Sequence, residues 1–433
     1  MTRQRCSFSL LFMLLCQPAV ASTGYFPDGW GAASRGYAGS GAAIAEEPLS
    51  MANNPASLAG LHGRELQFDV LLLKAYTTVD IGPLNADPAD ADPGAFPLPP
   101  GRIESDPEVP GDIFVIPQFA LSWRLNAHSA IGLAVYGNGG LNSTYDDFDN
   151  PVCPPESSGQ GVYCSGGAGV DIAQTFISPT YAHQFGDWLR IGVAPILAIQ
   201  AFEARGLSAF GPVSRDPDAL TNNGHDYSLG YGAKLGAQLR LAPRLSMGLV
   251  YQTRVRVDPF DDYAGLLPDE GRLNIPPLAQ VGLAVDVTPR LTWMLDWRRV
   301  FFSRVAAQAN SPDAPAPLGA SGGPGFGWGN GTSFSTAIRY DTGGPWVWRA
   351  GYRYSRSPVD SEQFFFNLLA ASILKHHVAV GAHYRLSRRI GLDFSFLYAF
   401  ENDRQGQNSR FPSQRIEASL SDIEMDLSLR YRF

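Results

Sequence analysis

Charge is scarce in this sequence. Lys, Arg, Asp and Glu make up 17% of the 433 residues, against about a quarter in an ordinary soluble domain. A basic excess is absent as well. There are 33 Lys+Arg against 41 Asp+Glu, and setting aside Arg3 and Arg5 leaves 31 against 41, a net of −10. That excludes a nucleic-acid partner, which would require a basic face. No Gly-x-Ser-x-Gly, His-Glu-x-x-His or P-loop occurs, so no catalytic residue is assigned and the chain is not read as an enzyme. Beyond its start there is no run of about 18 apolar residues, which excludes a membrane-spanning helix. Cysteines number four, two of them within the first 21 residues. The other two, Cys153 and Cys164, stand in "NPVCPPESSGQGVYCSGG" with no further Cys or His beside them. In an exported chain such a pair reads as a loop disulfide rather than a metal site. His376, His377 and His383 make no metal set either, because 377 and 383 share one strand face and 376 points away.

What is present begins with a leader. Residues 1–21 carry Arg3 and Arg5, an apolar run over 9–15 and a small-residue site, Ala19-Val20-Ala21. This reads as a secretory signal peptide; the bulky Leu15 before Cys16 argues against a lipid anchor. The remainder is rich in aromatics, 12%, and in glycine, 46 residues, and it alternates. In "SDIEMDLSLRYRF", Ile423, Met425, Leu427, Leu429, Tyr431 and Phe433 share one face, with Asp422, Glu424, Asp426, Ser428, Arg430 and Arg432 on the other. The same period of two runs through "RIGLDFSFLYAFE" from Arg389 and "SLGYGAKLGAQLRL" from Ser228. A soluble strand is typically about 5–6 residues long, whereas a tilted membrane strand needs about 9–11. These runs reach the second length.

Strand-like runs fall near 64–80, 113–125, 129–138, 171–185, 188–204, 228–241, 244–257, 273–287, 290–304, 332–342, 345–356, 376–386, 389–402 and 421–433. That is about fourteen, an even number, as an outer-membrane barrel requires. Short connections such as "FGDW", "APRL" and "TGGP" alternate with long ones at 81–112, 139–170, 205–227, 305–331 and 403–420. Short periplasmic turns and long outer loops have this pattern. The aromatic last strand, ending on Phe433, resembles an outer-membrane assembly signal. The expected fold is therefore all-β: a transmembrane antiparallel β-barrel of about 14 strands over 64–433, in the outer membrane of a Gram-negative cell. Trp293, Trp297, Trp346, Trp348 and Tyr352 suit its interfacial aromatic girdles.

A barrel this wide cannot fill its own bore with side chains, so it is either plugged or an open pore. Residues 22–63 are the candidate plug. Their stretch "RGYAGSGAAIAEEPLSMANNPASLAGL" has small residues that allow close packing. Gly36, Gly39 and Gly41 permit tight turns, and Pro55 forces Asn54 to be extended.

That stretch resembles the hatch of the FadL-type outer-membrane transporters of long-chain fatty acids and other hydrophobic compounds. The resemblance lies in a Gly/Ala run over 36–45, the acidic pair Glu46-Glu47, and Asn54-Pro55-Ala56. "FDDYAGLLPDEGRLNIPP" from Phe260, "GGPGFGW" from Gly322 and "FNLLAASILKHHVAVGAHYRL" from Phe366 resemble a subgroup. The resemblance implies a monomeric 14-stranded barrel plugged by its N-terminal hatch, with no nucleotide or metal cofactor. It also implies an outer apolar groove that captures ligand, and an exit opened by the hatch and a break in the third strand wall. Gly137, Gly139 and Gly140, with Asn138, are where the ladder could break.

Two loops are unusually apolar. One offers Phe260, Tyr263, Leu266 and Leu267; the other offers Phe364, Phe365, Phe366, Leu368, Leu369, Ile373 and Leu374. Apolar side chains in an outer loop need a partner, and ligand, hatch and the membrane belt are the alternatives. Lys234, Arg254, Arg256, Arg339, Arg349 and Arg353 have inward parity, as do Asp296, Asp341, Asp393 and Glu424. They are placed either to meet a ligand carboxylate or to form wall-to-wall and wall-to-hatch ion pairs. The expected function is passive transport of hydrophobic small molecules, long-chain fatty acids first, with membrane lipids as surroundings. A structural, adhesive or phage-receptor barrel without transport is the competing class, and a general diffusion pore is a third.

Overall fold

A computed structural model describes residues 23–84, 96–106, 112–359 and 364–433; the expected signal peptide lies outside them. Sixteen strands occur among these residues. They are β1 (Arg64–Ile81), β2 (Gly101–Ser105), β3 (Phe114–Arg124), β4 (Ser129–Tyr145), β5 (Ala168–Phe185), β6 (Leu189–Arg205), β7 (Asp226–Ala242) and β8 (Leu245–Gln252). The others are β9 (Arg256–Val257), β10 (Leu278–Thr288), β11 (Leu291–Val300), β12 (Gly331–Asp341), β13 (Trp346–Arg356), β14 (His376–Arg385), β15 (Ile390–Asn408) and β16 (Phe411–Arg432). All but β2 and β9 form one antiparallel wall in chain order, closed where β16 pairs with β1 from Glu65↔Arg432 to Ile81↔Ile416. The result is the fourteen-stranded barrel that the alternation predicts.

Alternation puts apolar side chains outside and polar ones inside. Tyr231 is 66% exposed while Lys234, three residues on and on the opposite face, is 1% exposed. Phe68, Leu427, Leu429, Trp293 and Trp348 also look outward. Asp69, Glu424 and Asp426 on the same strands are buried inside. Turns of a few residues close one end, as at 243–244 and 289–290, and the long connections gather at the other. Cys153 and Cys164 are disulfide-bonded, closing a small loop within one of those connections.

Three departures from the sequence reading have local causes. The run expected to end at 138 continues to Tyr145, because Asn138 is an extra residue: Gly137 pairs with Thr175 and Gly139 with the next residue back, Gln174. A single β-bulge kinks the strand and lets it continue. The 403–420 segment, expected as a loop, is strand; β15 and β16 run 19 and 22 residues and meet at Ser409-Arg410. Twenty-two residues span about 70 Å at the usual rise per residue, so this hairpin stands well above the membrane. Arg254 and Arg256 do not face the bore. Between Lys234↔Gln252 and Gly230↔Val257, four steps on β7 face five on β8–β9. That one-residue slip reverses the facing of the residues beyond it, so Val255 and Val257 are buried and the two arginines are exposed.

Residues 23–61 lie inside the cylinder. They form a short helix at Ala32–Gly36, another at Ser50–Asn53 and a 3-10 turn at Pro55–Gly60, separated by bends. Such short pieces satisfy only part of their own backbone, and the wall supplies further partners. Asp296 accepts from Gly41 N and Ala42 N at 3.0 and 3.1 Å. Asp69 accepts from Ala32 N at 3.1 Å, and Gln67 from Leu49 N at 2.9 Å. Gln238 donates to the carbonyls of Ala42 and Ile44. Each such bond contributes about 0.5–1.5 kcal/mol net, and leaving the buried partner unmatched costs more. Where the plug touches the wall most closely the wall has glycine. A Cβ on Gly248 would stand 2.2 Å from Ala42 O, and one on Gly351 would stand 2.4 Å from Tyr37 C. The double substitution Gly248→Val, Gly351→Val should therefore push the plug aside while leaving the outward face untouched. We expect heat-modifiable migration to persist and single-channel conductance in planar bilayers to rise from near zero; unchanged conductance would show that the bore is not sealed by these contacts.

Candidate functional site: an apolar path and its plug

Beneath the outer loops lies a cavity of about 50 Å³ with a wholly apolar lining. Leu266 and Leu267 come from one predicted loop, Phe366 and Leu369 from the other. Residues outside the two predicted loops complete it: Val170, Phe202, Leu207, Ala307, Leu318 and Phe326 among them. The "GGPGFGW" segment signals the presence of Phe326; Phe202 sits on an ordinary inward strand position and carries no such signal. Fifty cubic ångströms is far below the roughly 300–1,000 Å³ of a ligand site, so the loops must part to admit one.

The other predicted residues surround this space. Phe260 and Tyr263 pack on Phe202, with ring centroids 5.5 and 4.9 Å apart. Phe365 meets Phe96, Tyr163 and Phe210 edge to face. Phe364, Leu368, Ile373 and Leu374 are buried, and the Leu368 carbonyl accepts a bond from the Tyr145 hydroxyl at 2.8 Å. Below them is an aromatic layer in which wall and plug meet. Phe302 lies 5.1 Å from Trp328 and 5.8 Å from Tyr25, and Tyr25 stacks on Phe26.

The plug's conformation explains its motif. Gly39 and Gly41 have φ of 81° and 115°, which side chains rarely adopt. Gly36 has no such angle; it lies against Gly381 of the wall, where a Cβ would be 3.3 Å from the Gly381 Cα. Asn54 is extended, at φ −143° and ψ 112°, before Pro55. Its amide donates to Ala42 O at 2.7 Å and Ala237 O at 3.2 Å, while its oxygen accepts from Ala56 N at 3.0 Å. Asn54 thus ties two bends of the plug to each other and to β7.

Several of the bore's charges are held between wall and plug. Arg35 of the plug pairs with Glu424 and Asp426. Arg353 meets Asp28 at 2.9 Å, and Arg349 meets both Glu46, at 2.7 Å, and Asp393. Lys234 donates to Ala52 O at 2.6 Å and lies over the Trp30 ring. Arg339 approaches Glu46 at 3.6 Å and Asp341 at 3.4 Å. Of the six cations assigned inward parity, four are bound in this way and Arg254 and Arg256 are outside the bore.

The wall is interrupted beside the plug. Among the described residues the ladder between β3 and β4 ends at Phe119↔Val135, and beyond it Phe114–Gln118 continue their ladder with β1. Contact resumes where Thr144 N donates to Ser105 Oγ and Asp106 N donates to Thr144 O, 2.9 Å each. Inside this window Leu71, Leu73, Phe114 and Ile116 form an apolar cluster. The bulge holding Gly137, Gly139 and Gly140 is on its edge, and the plug braces it. Trp30 Nε1 donates to Gly137 O at 2.9 Å, Gly140 N donates to Tyr25 O at 3.2 Å, and a Cβ on Gly139 would strike Tyr25 O.

These features define a class: an outer-membrane transport barrel with its own N-terminal segment as stopper. The sequence matches, over residues 28–433, the family described as outer membrane protein transport protein (OMPP1/FadL/TodX), and the chain belongs to it. No curated protein matches. Solved structures show the same fold. A Pseudomonas aeruginosa FadL homologue aligns with a TM-score of 0.67 at 16% identity, covering 95% of this chain and 100% of its own. The Ralstonia pickettii toluene transporter TbuX gives 0.64 at 16%, and the P. putida toluene transporter TodX 0.64 at 15%, each covering 94% of this chain and 99% of its own.

His225 clips the base of the 206–225 loop to two strands, at 2.9 Å from Asp171 on β5 and 3.3 Å from Glu203 on β6. The hydrogen bond to Asp171, outweighing partial burial, raises its pKa above the usual value. A raised folded-state pKa means that this stabilisation is fully present below about pH 6.5 and is lost as pH rises through the folded value. Hydrogen exchange over 206–225 should therefore quicken as pH is raised through neutrality, after correction for intrinsic exchange. His225→Phe should remove that pH dependence; an identical profile in the variant would refute the assignment.

Proposed function

We propose that this protein passively carries hydrophobic small molecules inward across the outer membrane, with long-chain fatty acids and compact aromatic hydrocarbons as the cargo. One observation carries the reading: apolar surface recurs at three levels, as an uncharged cavity under the outer loops, an aromatic layer and an apolar cluster at the window beside the plug. Each CH₂ taken from water contributes about 0.8 kcal/mol, so such a path can draw cargo from solution without an energy source. The toluene transporters among the structural neighbours support the aromatic arm, and the hatch resemblance supports the fatty-acid arm. Cargo enters as the loops part, passes Tyr25 and Phe26 when the plug shifts, and leaves sideways between β3 and β4. The plug's hydrogen bonds to the bulge tie the second step to the third.

The test is uptake of labelled oleate and labelled toluene by cells lacking their own transporters. Correctly inserted wild-type protein should exceed a vector control with at least one of them; surface binding without uptake would instead favour a receptor or adhesive barrel. Phe366→Asp puts a charge into the cavity lining and should lower uptake roughly tenfold or more, the equivalent of about 1.4 kcal/mol. Asn54→Ala removes the amide that joins the Ala42 carbonyl of the plug to the Ala237 carbonyl of β7, and Pro55→Ala relaxes the same bend. Both should lower uptake with heat-modifiable migration intact, and loss of that migration would make the motif structural.

A further inference from the structure

The opposite end of the bore has contrary chemistry. A cavity of about 480 Å³ opens there, lined by Glu46 of the plug, Val347, His383 and five arginines. Three of the five are committed. Arg430 binds Glu65 at 2.6 Å and Asp393 at 3.5 Å, Arg432 binds Glu65 at 3.0 Å, and Arg339 binds Glu46 and Asp341. Arg385 and Arg388, at the β14–β15 turn, have no carboxylate within ion-pair distance among the described residues. In a chain with net charge −8, these two guanidiniums stand together at the mouth formed by the short turns.

Glu46 shows what the cavity accepts. Its carboxylate sits between Arg349, at 2.7 Å, and Arg339, at 3.6 Å, and takes the Tyr37 hydroxyl as well. Its carbonyl accepts from Arg430 at 3.0 Å. The plug's lower bend is therefore held by a carboxylate in an arginine-lined chamber that has two further guanidiniums and room for a second anion. Guanidinium pairs carboxylate and phosphate alike through forked hydrogen bonds.

We propose that this periplasm-facing chamber binds the carboxylate or phosphate group of a small anion at Arg385, Arg388 and Arg339, and that the anion competes with Glu46 and so loosens the plug. The site is distinct from the outer cavity, and its occupancy is measurable without transport.

The experiment uses the full mature barrel in an uncharged detergent, titrated calorimetrically with octanoate and with inorganic phosphate at constant ionic strength set by chloride. We expect saturable binding. Arg385→Ala with Arg388→Ala should weaken it about tenfold or more, since both charge-assisted donors are lost. Glu46→Gln should tighten it, because the internal competitor is gone; a merely structural ion pair would not do this. Ala45→Cys, the only free thiol of the mature chain, should react faster with maleimide when anion is present. No saturation beyond chloride, unchanged affinity in the double variant, or no tightening in Glu46→Gln would each overturn the proposal. Co-flotation with vesicles of phosphatidylglycerol against neutral lipid separates the sources: a response to vesicles alone, with none to the free anions, would assign the arginines to a lipid surface and overturn the chamber.

Discussion

The structure depends on hydrogen bonding between a poorly structured plug and the inner wall of the barrel. A segment with one-turn helices and bends leaves part of its N–H and C=O groups unpaired, and a packed bore leaves little water to receive them. Asp296, Asp69, Gln67 and Gln238 of the wall supply missing partners. The polar face that alternation turns inward is thus the complement of one particular backbone. Small residues on the plug and glycines on the wall let the two approach closely enough for those bonds.

Transport inherits two properties from this arrangement. The β4 bulge is held from inside by Trp30 and Tyr25, and the aromatic layer below the outer cavity shares Tyr25 with the plug. Movement of one N-terminal segment therefore changes both the floor of the cavity and the edge of the window. Charge is distributed along the axis: none in the outer cavity lining, wall-to-plug ion pairs such as Arg353–Asp28 at mid-bore, and five arginines lining the cavity at the periplasmic mouth. A hydrophobic molecule meets no charged side chain in the outer cavity lining, whereas the cavity at the far end is lined by arginines.

Much of this was legible in the residue order. Period-two runs such as Ile423 to Phe433 reveal strand, facing and membrane together, because one chemical alternation encodes all three. The loop residues Leu266, Leu267, Phe366 and Leu369 stood out because apolar side chains in loops are anomalous, and they converge on one cavity. Phe202 did not stand out, since an inward aromatic on a strand is ordinary and its neighbours across the cavity are distant in sequence. Arg254 and Arg256 were misplaced because parity counting assumes an unbroken strand, and a single extra residue near 253 reverses it. The long β15–β16 hairpin was missed because its outer half, above the lipid, lacks the apolar face that marks a membrane strand.

Alone, the order of residues determined the alternating wall, its number of strands and the small-residue character of the stopper, for these are set by neighbours in the chain. Only the closed tertiary structure decided which wall carboxylate holds which plug amide, where the β3–β4 ladder stops, and which arginines are left without partners. Those depend on registers between strands far apart in sequence, and closure of the cylinder is what sets the registers.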